Sequence, residues 1–363
     1  MIEGKRYKVA VIGAGIGATH IASYRVMPEK FEVAAVCDLD TERAAKAVAG
    51  LSGTRIVSDM EEIISDPEID IIDVSLPPFL HHGPTMRALS AGKHVICEKP
   101  FATSQAEAQT AVDFAEKQGL KIYPCFQYRY GRGFYQLTHL VRSGWAGKPY
   151  VASLETHWKR GPAYYEVPWR GTWKSECGGA VVGHAIHIHN LATHLLGPVR
   201  SVAAMLDTRV NPIETEDCGA ISFQMESGAL VTSSITLGAA TDTSRFRVCF
   251  QNVTAESGQE PYRVGADGWV FTASSPERQG ELNGELEKVP EGPARFEGLF
   301  EEIYKDLQGD PAARPTNADD ALHSTDLISA IYESARNGTI VHLPLTPESE
   351  MYKGWIIDTA ASA

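Results

Sequence analysis

Through the first third of the chain, short apolar runs alternate with amphipathic stretches, and the period of the pattern switches each time. Residues 7–12, 31–37, 70–76, 94–97 and 121–125 are apolar runs of strand length, with Ile56 and Val57 forming a shorter one. Between them, residues 19–25, 41–48, 59–64, 83–91 and 104–118 read as helices. Ser104 and Glu107 have capping-box spacing, and Gly50, Gly92 and Gly119 stand where helices should stop. Strands alternating with helices predict a parallel, doubly wound α/β sheet. Gly13, Asp38, Leu76 and Lys99 then fall at strand carboxyl ends along one edge, where open parallel sheets collect ligands.

After Arg129 the pattern changes. Residues 134–142 are helical, 144–149 turn, and strand-like segments follow at 150–158, 199–207, 219–225, 230–237, 246–253 and 269–272. Several alternate in polarity, as strands of a sheet with one covered face do. The tail returns to helices at 295–308 and 319–337. The expectation is a parallel α/β domain over 1–126, followed by an α+β domain over 127–363 built on an open, mostly antiparallel sheet. The outer apolar face of that sheet is expected to pair subunits into a homo-oligomer, a dimer or tetramer.

Composition narrows the class. A chain of 363 residues is too long for one small core, and 43% hydrophobic with 22% charged residues is ordinary globular usage. A formal net charge of −13 without a basic stripe argues against nucleic-acid or anionic-membrane partners. No apolar segment reaches membrane-span length, and the strand starting near Tyr7 leaves no room for a signal peptide, so a cytoplasmic protein is expected. Cys37, Cys97, Cys125, Cys177, Cys218 and Cys249 are scattered without a Cys-x-x-Cys pair, which fits reduced thiols rather than disulfides or zinc.

The first strand runs straight into Gly13-Ala14-Gly15-Ile16-Gly17-Ala18. The first glycine permits a tight turn, the second lets backbone approach a pyrophosphate, and the third allows close packing of helix on strand. Asp38 ends the second strand at the spacing of a carboxylate that takes the adenosine ribose hydroxyls. It would repel a 2′-phosphate and favours NAD over NADP, although Arg43 nearby keeps NADP open. Asp38 also suits a helix cap. Lys99, in Glu98-Lys99-Pro100 at the end of the fifth strand, is a candidate acid/base group.

Gly13–Ala18, Leu76-Pro77-Pro78 with His81, and Ala91-Gly92-Lys93-His94-Val95 leading into Glu98-Lys99-Pro100 resemble the Gfo/Idh/MocA family of NAD(P)-dependent oxidoreductases. That family includes glucose–fructose oxidoreductase and inositol dehydrogenase. The resemblance implies a Rossmann domain followed by the open-sheet domain. It places Lys99 beside the nicotinamide and the substrate hydroxyl, with Glu98 orienting it. It implies cofactor contacts at Gly13, Gly15, Ile16, Gly17, Leu76, Pro77, His81, Glu98, Lys99 and Gln127, although Pro78 and Gln127 replace commoner asparagines. The segment 177–190 resembles the family's glycine-rich entry to a helix carrying an Asp and, four residues on, a catalytic His. The His is His187, but the Asp position holds Gly183, and His184 is the neighbour able to share its role.

Residues 158–170 gather aromatics and cations, of which Tyr164, Trp169 and Arg170, with His184, are the candidate substrate contacts. No carboxylate or cysteine stands at ligand spacing to His184 and His187, so no metal is expected. The expected activity is hydride transfer between nicotinamide and a secondary hydroxyl of a sugar, sugar acid or cyclic polyol held between the domains. Lys99 or His187 would take the hydroxyl proton. Two alternatives stay open: a redox-neutral cycle on a retained cofactor that cleaves or eliminates a substituent, and a non-catalytic NAD sensor.

Overall fold

The computed structural model describes residues 4–356. They divide into two compact units, one made of residues up to Cys125 together with Phe296–Leu322, the other of Phe126–Arg295 and the chain from His323 on.

The first unit carries six parallel strands, β1 (Tyr7–Ile12), β2 (Phe31–Cys37), β3 (Arg55–Val57), β4 (Ile71–Val74), β5 (His94–Cys97) and β6 (Ile122–Pro124). Their order across the sheet is β3-β2-β1-β4-β5-β6, the doubly wound arrangement with its reversal between β1 and β4. β1 and β4 are buried along nearly their whole length because helices cover both faces. The helix Gln105–Gln118 shows why these segments dock: Ala108, Ala111, Val112 and Ala115 form one buried stripe. Its Ser104 side chain accepts the Glu107 N–H, and Gly119 ends it in the left-handed region at φ 67°.

The helix Arg295–Leu307 belongs to this unit, although it lies far along the chain from the strands. Its buried stripe of Phe296, Leu299, Phe300 and Ile303 explains the placement. Phe300 stacks on Tyr24 with ring centroids 4.2 Å apart, and Tyr304 meets Tyr7 and Phe31 edge-on. Tyr123 closes the contact with a 2.6 Å hydrogen bond to Asp306.

The second unit holds an eight-stranded mixed sheet, β7 (Pro149–Lys159), β8 (Val199–Asp207), β9 (Cys218–Met225), β10 (Leu230–Thr236), β11 (Gly238–Phe250), β12 (Val253–Glu256), β13 (Val270–Ala273) and β14 (Val341–His342). The order is β13-β12-β11-β7-β10-β9-β8-β14, and β10 pairs in parallel with β7 while the other neighbours run antiparallel. Alternation does the sorting: Ala152, Leu154 and Trp158 of β7, Ile221 and Phe223 of β9, and Phe246 and Val248 of β11 turn inward. They share a core with the helix Ile186–Leu196. Tyr150, Met205, Leu230 and Val270 stay exposed. All six cysteines are free thiols, four of them buried.

Candidate active site

The three glycines after β1 have three different steric reasons. Gly13 adopts φ 98°, and a Cβ on it would stand 2.4 Å from the Ser75 carbonyl oxygen. Gly17 opens the next helix, where a Cβ would come 2.9 Å from Val11 Cγ1 and 3.2 Å from Ser75 Cβ. Around Gly15, no neighbouring atom would lie within 4 Å of such a Cβ, and Ile16 beside it is exposed. A tight turn, close helix–sheet packing and an open stretch of backbone at a helix N-terminus together fit a dinucleotide's pyrophosphate.

Asp38, at the end of β2, is almost fully engaged. Its Oδ2 accepts the Ala14 N–H at 2.7 Å and Arg43 Nε at 3.2 Å, while Oδ1 accepts the Asp40 N–H at 2.8 Å and Arg43 Nη2 at 2.7 Å. Burial works to raise this carboxyl, but Arg43 and the two backbone donors outweigh it and hold it below the usual range. The cap of the helix Thr41–Ala47 is Asp40, whose side chain takes the Arg43 N–H, so Asp38 anchors the glycine turn instead.

Glu98 is buried at the end of β5, and its Oε2 accepts the Lys99 backbone N–H at 3.1 Å. Lys99 is half-buried, and the Lys99–Pro100 bond is cis. Leu76 and Pro77, half-buried, leave the end of neighbouring β4. His81 is fully buried and bridges the two turns, its Nδ1 2.7 Å from the Pro100 carbonyl oxygen and its Nε2 2.7 Å from that of Leu76. Both ring nitrogens are thereby committed to backbone, so His81 shapes the strand-end surface as a clamp.

In the second unit, Gln127 begins a short 3₁₀ turn, and its buried Oε1 has no hydrogen-bond partner among the described residues. Residues 181–185 form a π-turn that passes into the α-helix Ile186–Leu196. His184 lies in the π-turn and His187 in the α-helix, so the two do not share a plain i,i+3 face; both are buried. His187 stacks on Tyr128 at 4.3 Å, with Phe126 edge-on to it. His184 meets the Trp158 ring edge-on at 4.8 Å, and its Nε2 lies 3.5 Å from the Tyr164 hydroxyl. His189 turns into the core, bonded to Ser233 and edge-on to Phe223, and burial drives its pKa down to about 3.

Tyr164, Trp169, Arg170 and His184 do come together. The Arg170 guanidinium lies 3.7 Å from the centre of the Tyr164 ring and 4.6 Å from that of Trp169. Arg160 lies over the Trp158 ring at 4.8 Å and the Tyr164 ring at 5.3 Å, held at 2.9 Å by Asp242. Burial lowers the Arg170 pKa, and its buried Nε has no hydrogen-bond partner among the described residues.

Two carboxylates here carry no sequence signal. Glu176 is buried, its Oε2 accepts the Gly171 N–H, and its Oε1 lies 3.9 Å from where a Cβ on Gly183 would stand. Glu216 accepts the N–H groups of Gly179 and Val181 and the Tyr332 hydroxyl, holding the start of the π-turn. Burial lifts its carboxyl to about 7 despite those donors. Each is a lone acid in an unpatterned stretch, and only tertiary structure gives it neighbours.

Residues 7–126 match the model of the Gfo/Idh/MocA oxidoreductase family with an NAD-binding Rossmann fold, and residues 134–256 match that family's C-terminal domain. The chain belongs to the Gfo/Idh/MocA family. As a member, it is 31% identical to an uncharacterized oxidoreductase of Schizosaccharomyces pombe, over a stretch spanning 58% of each protein. It is 26% identical to the D-glucoside 3-dehydrogenase of Escherichia coli, over 93% of this chain and 97% of that one. Among solved structures it is similar to the WlbA dehydrogenase of Chromobacterium violaceum in complex with NADH and UDP-GlcNAcA, at 27% identity and a TM-score of 0.82, covering 95% of this chain and 99% of the other. Among the described residues, no helix of this Gfo/Idh/MocA protein is long and apolar enough to cross a membrane.

Proposed function

We propose that the chain is an NAD-dependent dehydrogenase acting on a secondary hydroxyl of a sugar, sugar acid or cyclic polyol. The observation that carries this reading is the pairing, along one edge of the parallel sheet, of an open glycine turn after β1 with Lys99 after β5. Gly13, Gly15, Ile16, Gly17, Leu76, Pro77 and Asp38 would hold the dinucleotide, and Asp38 favours NAD because a 2′-phosphate would meet its charge. Bound NAD supplies the hydride acceptor for the carbinol carbon.

The chain's own residues then have to manage one proton. Lys99 or His187 takes it from the substrate hydroxyl while the other orients that oxygen. An imidazole needs little tuning for this near neutral pH, whereas a lysine needs burial or neighbouring positive charge. Glu176 supplies, from outside the helix, the carboxylate that position 183 lacks. Tyr164, Trp169 and His184 present aromatic faces to the sugar ring. Arg170, with its unpartnered buried Nε, favours a substrate bearing a carboxylate, and the likeness to a dehydrogenase crystallised with UDP-GlcNAcA points the same way. The exposed apolar positions on the outer face of the second unit's sheet would meet a second copy of the chain.

The test is NADH formation at 340 nm by protein saturated with NAD and offered uronates, neutral sugars and inositols in turn. Reduction with a uronate or sugar supports the reading. Turnover of substrate on retained cofactor with no net absorbance change would favour the redox-neutral alternative, and inertness toward every compound would favour the sensor.

A further inference from the structure

His20 lies on the helix Gly17–Arg25 and has no exposed surface. Its Nδ1 is 2.9 and 3.1 Å from the two oxygens of Asp73 on β4, and its Nε2 is 3.2 Å from Oε1 of Glu98. A carboxylate only accepts hydrogen bonds, so a ring facing carboxylates on both sides needs a proton on each nitrogen. A ring protonated on one nitrogen alone would leave a lone pair facing an anionic oxygen in a dry interior, and the Ser75 hydroxyl, 3.2 Å from Nδ1, is already bonded to Asp73 at 3.0 Å. The remaining partners agree with that charge distribution. Asp73 also accepts the Tyr24 hydroxyl at 2.8 Å and the Ser75 hydroxyl at 3.0 Å, and Glu98 accepts the Lys99 N–H.

The other faces of the ring are closed. Phe296 lies 4.4 Å away and Phe300 meets it edge-on at 5.5 Å. From the end of β6, Cys125 brings its sulfur within 4.8 Å of the nearest His20 and Glu98 atoms, but both His20 nitrogens are already committed to carboxylates. The titratable groups around the ring are therefore Asp73, Glu98, Tyr24 and Cys125. Burial opposes the charge on His20, yet the attraction and hydrogen bonds of Asp73 and Glu98 prevail and lift its pKa to about 10.

We propose that His20 is a positioning residue for Lys99, an imidazolium that stays charged at working pH and clamps Glu98 against the Lys99 backbone. It rests on the reading of Lys99 as a reacting amine. The helix bearing His20 begins at Gly17, which packs on Ser75, and Ser75 bonds Asp73. One network thus joins the glycine turn, the end of β4 and the turn bearing Lys99. A lysine on an unsupported loop would sample many positions; this one hangs from a buried, charge-locked backbone.

The first experiment does not require turnover. Full-length, NADH-saturated protein labelled with ¹⁵N at histidine is examined by two-bond ¹H–¹⁵N correlation from pH 6 to 8.5, with the His20 signal assigned by its loss in His20→Gln. Both His20 nitrogens should resonate as protonated imidazolium throughout; a neutral tautomer at pH 7–8 overturns the proposal whatever the enzyme's substrate. The second measures pH–rate profiles of His20→Gln and Glu98→Gln. Each should lower kcat by up to about 100-fold, the cost of a misplaced reacting group, move the lower limb of the kcat profile, and leave NADH affinity nearly unchanged. A role in folding alone would lower the melting temperature without moving that limb, and an unmoved limb in Glu98→Gln overturns the proposal even if His20→Gln does not fold.

Discussion

Arg43 lays two nitrogens on the Asp38 carboxylate, Nη2 2.7 Å from Oδ1 and Nε 3.2 Å from Oδ2. If Asp38 takes the adenosine ribose, it offers a carboxylate already paired to a half-exposed guanidinium. The pairing makes cofactor choice adjustable at one position. Asp38→Ser should weaken NADH binding by about tenfold, roughly 1.4 kcal/mol, and strengthen NADPH binding by releasing Arg43 toward a 2′-phosphate. Arg43→Ala should spare NADH and weaken NADPH. Fluorescence titration of both cofactors checks the pair, and unchanged preference in Asp38→Ser would remove Asp38 from the ribose site.

Lys99→Met keeps the length and packing of the side chain but discards the amine. If Lys99 exchanges the hydroxyl proton, kcat should fall by about a hundred- to ten-thousand-fold with NADH affinity within about threefold. His187→Asn is the companion variant, and the larger loss of kcat identifies the base. Equal turnover in both variants and the native protein would refute the assignment.

The Arg170 guanidinium lies 3.7 Å from the Tyr164 ring centre and 4.6 Å from that of Trp169. Lysine retains the charge but neither the flat stacking surface nor the forked donors. Arg170→Lys should therefore raise KM for a uronate by about tenfold or more while changing KM for the matching neutral sugar by less than about threefold. An equal effect on both would make Arg170 a staple of the aromatic cluster.

The first unit was legible because its information is local. Each strand of its sheet is a compact apolar run, Ser104 and Gly119 mark a helix with their own caps, and the three glycines act within one turn. The placement of Arg295–Leu307 was not legible, since its stripe of Phe296, Leu299, Phe300 and Ile303 announces a buried face without naming its partner. The parallel pairing of β10 with β7 is likewise a property of topology, not of either segment. At the candidate site, the glycine turn and the aromatic–cation cluster follow from residue type and spacing, whereas Lys99 is singled out by its strand-end position together with the family resemblance. His20, Asp73 and Glu176 follow from neither, because their meaning comes from partners distant in sequence. The π-turn at 181–185 escaped for a related reason: an extra residue in a helical turn leaves no mark in apolar periodicity.

Asp326 offers a test of packing electrostatics away from the candidate site. It is buried beside a cavity of 210 Å³ whose lining includes Glu226, His323 and Thr193, and its Oδ1 accepts the Leu345 N–H at 3.0 Å. Burial pushes its carboxyl from 3.8 to about 6, more than the Leu345 N–H holds it down. For an acid raised in the folded state, the contribution to stability is fully present below the unfolded value and is lost as pH rises through the folded one. Above pH 6, the protein therefore carries an ionised buried carboxylate at a cost of about 3 kcal/mol. Asp326→Asn preserves the acceptor for Leu345 and removes the charge. The variant should melt about 5 °C higher than the native protein at pH 7.5, and the advantage should shrink as pH falls toward 4. Scanning calorimetry across that range decides the matter, and a pH-independent difference would show that the carboxylate is solvated through the cavity.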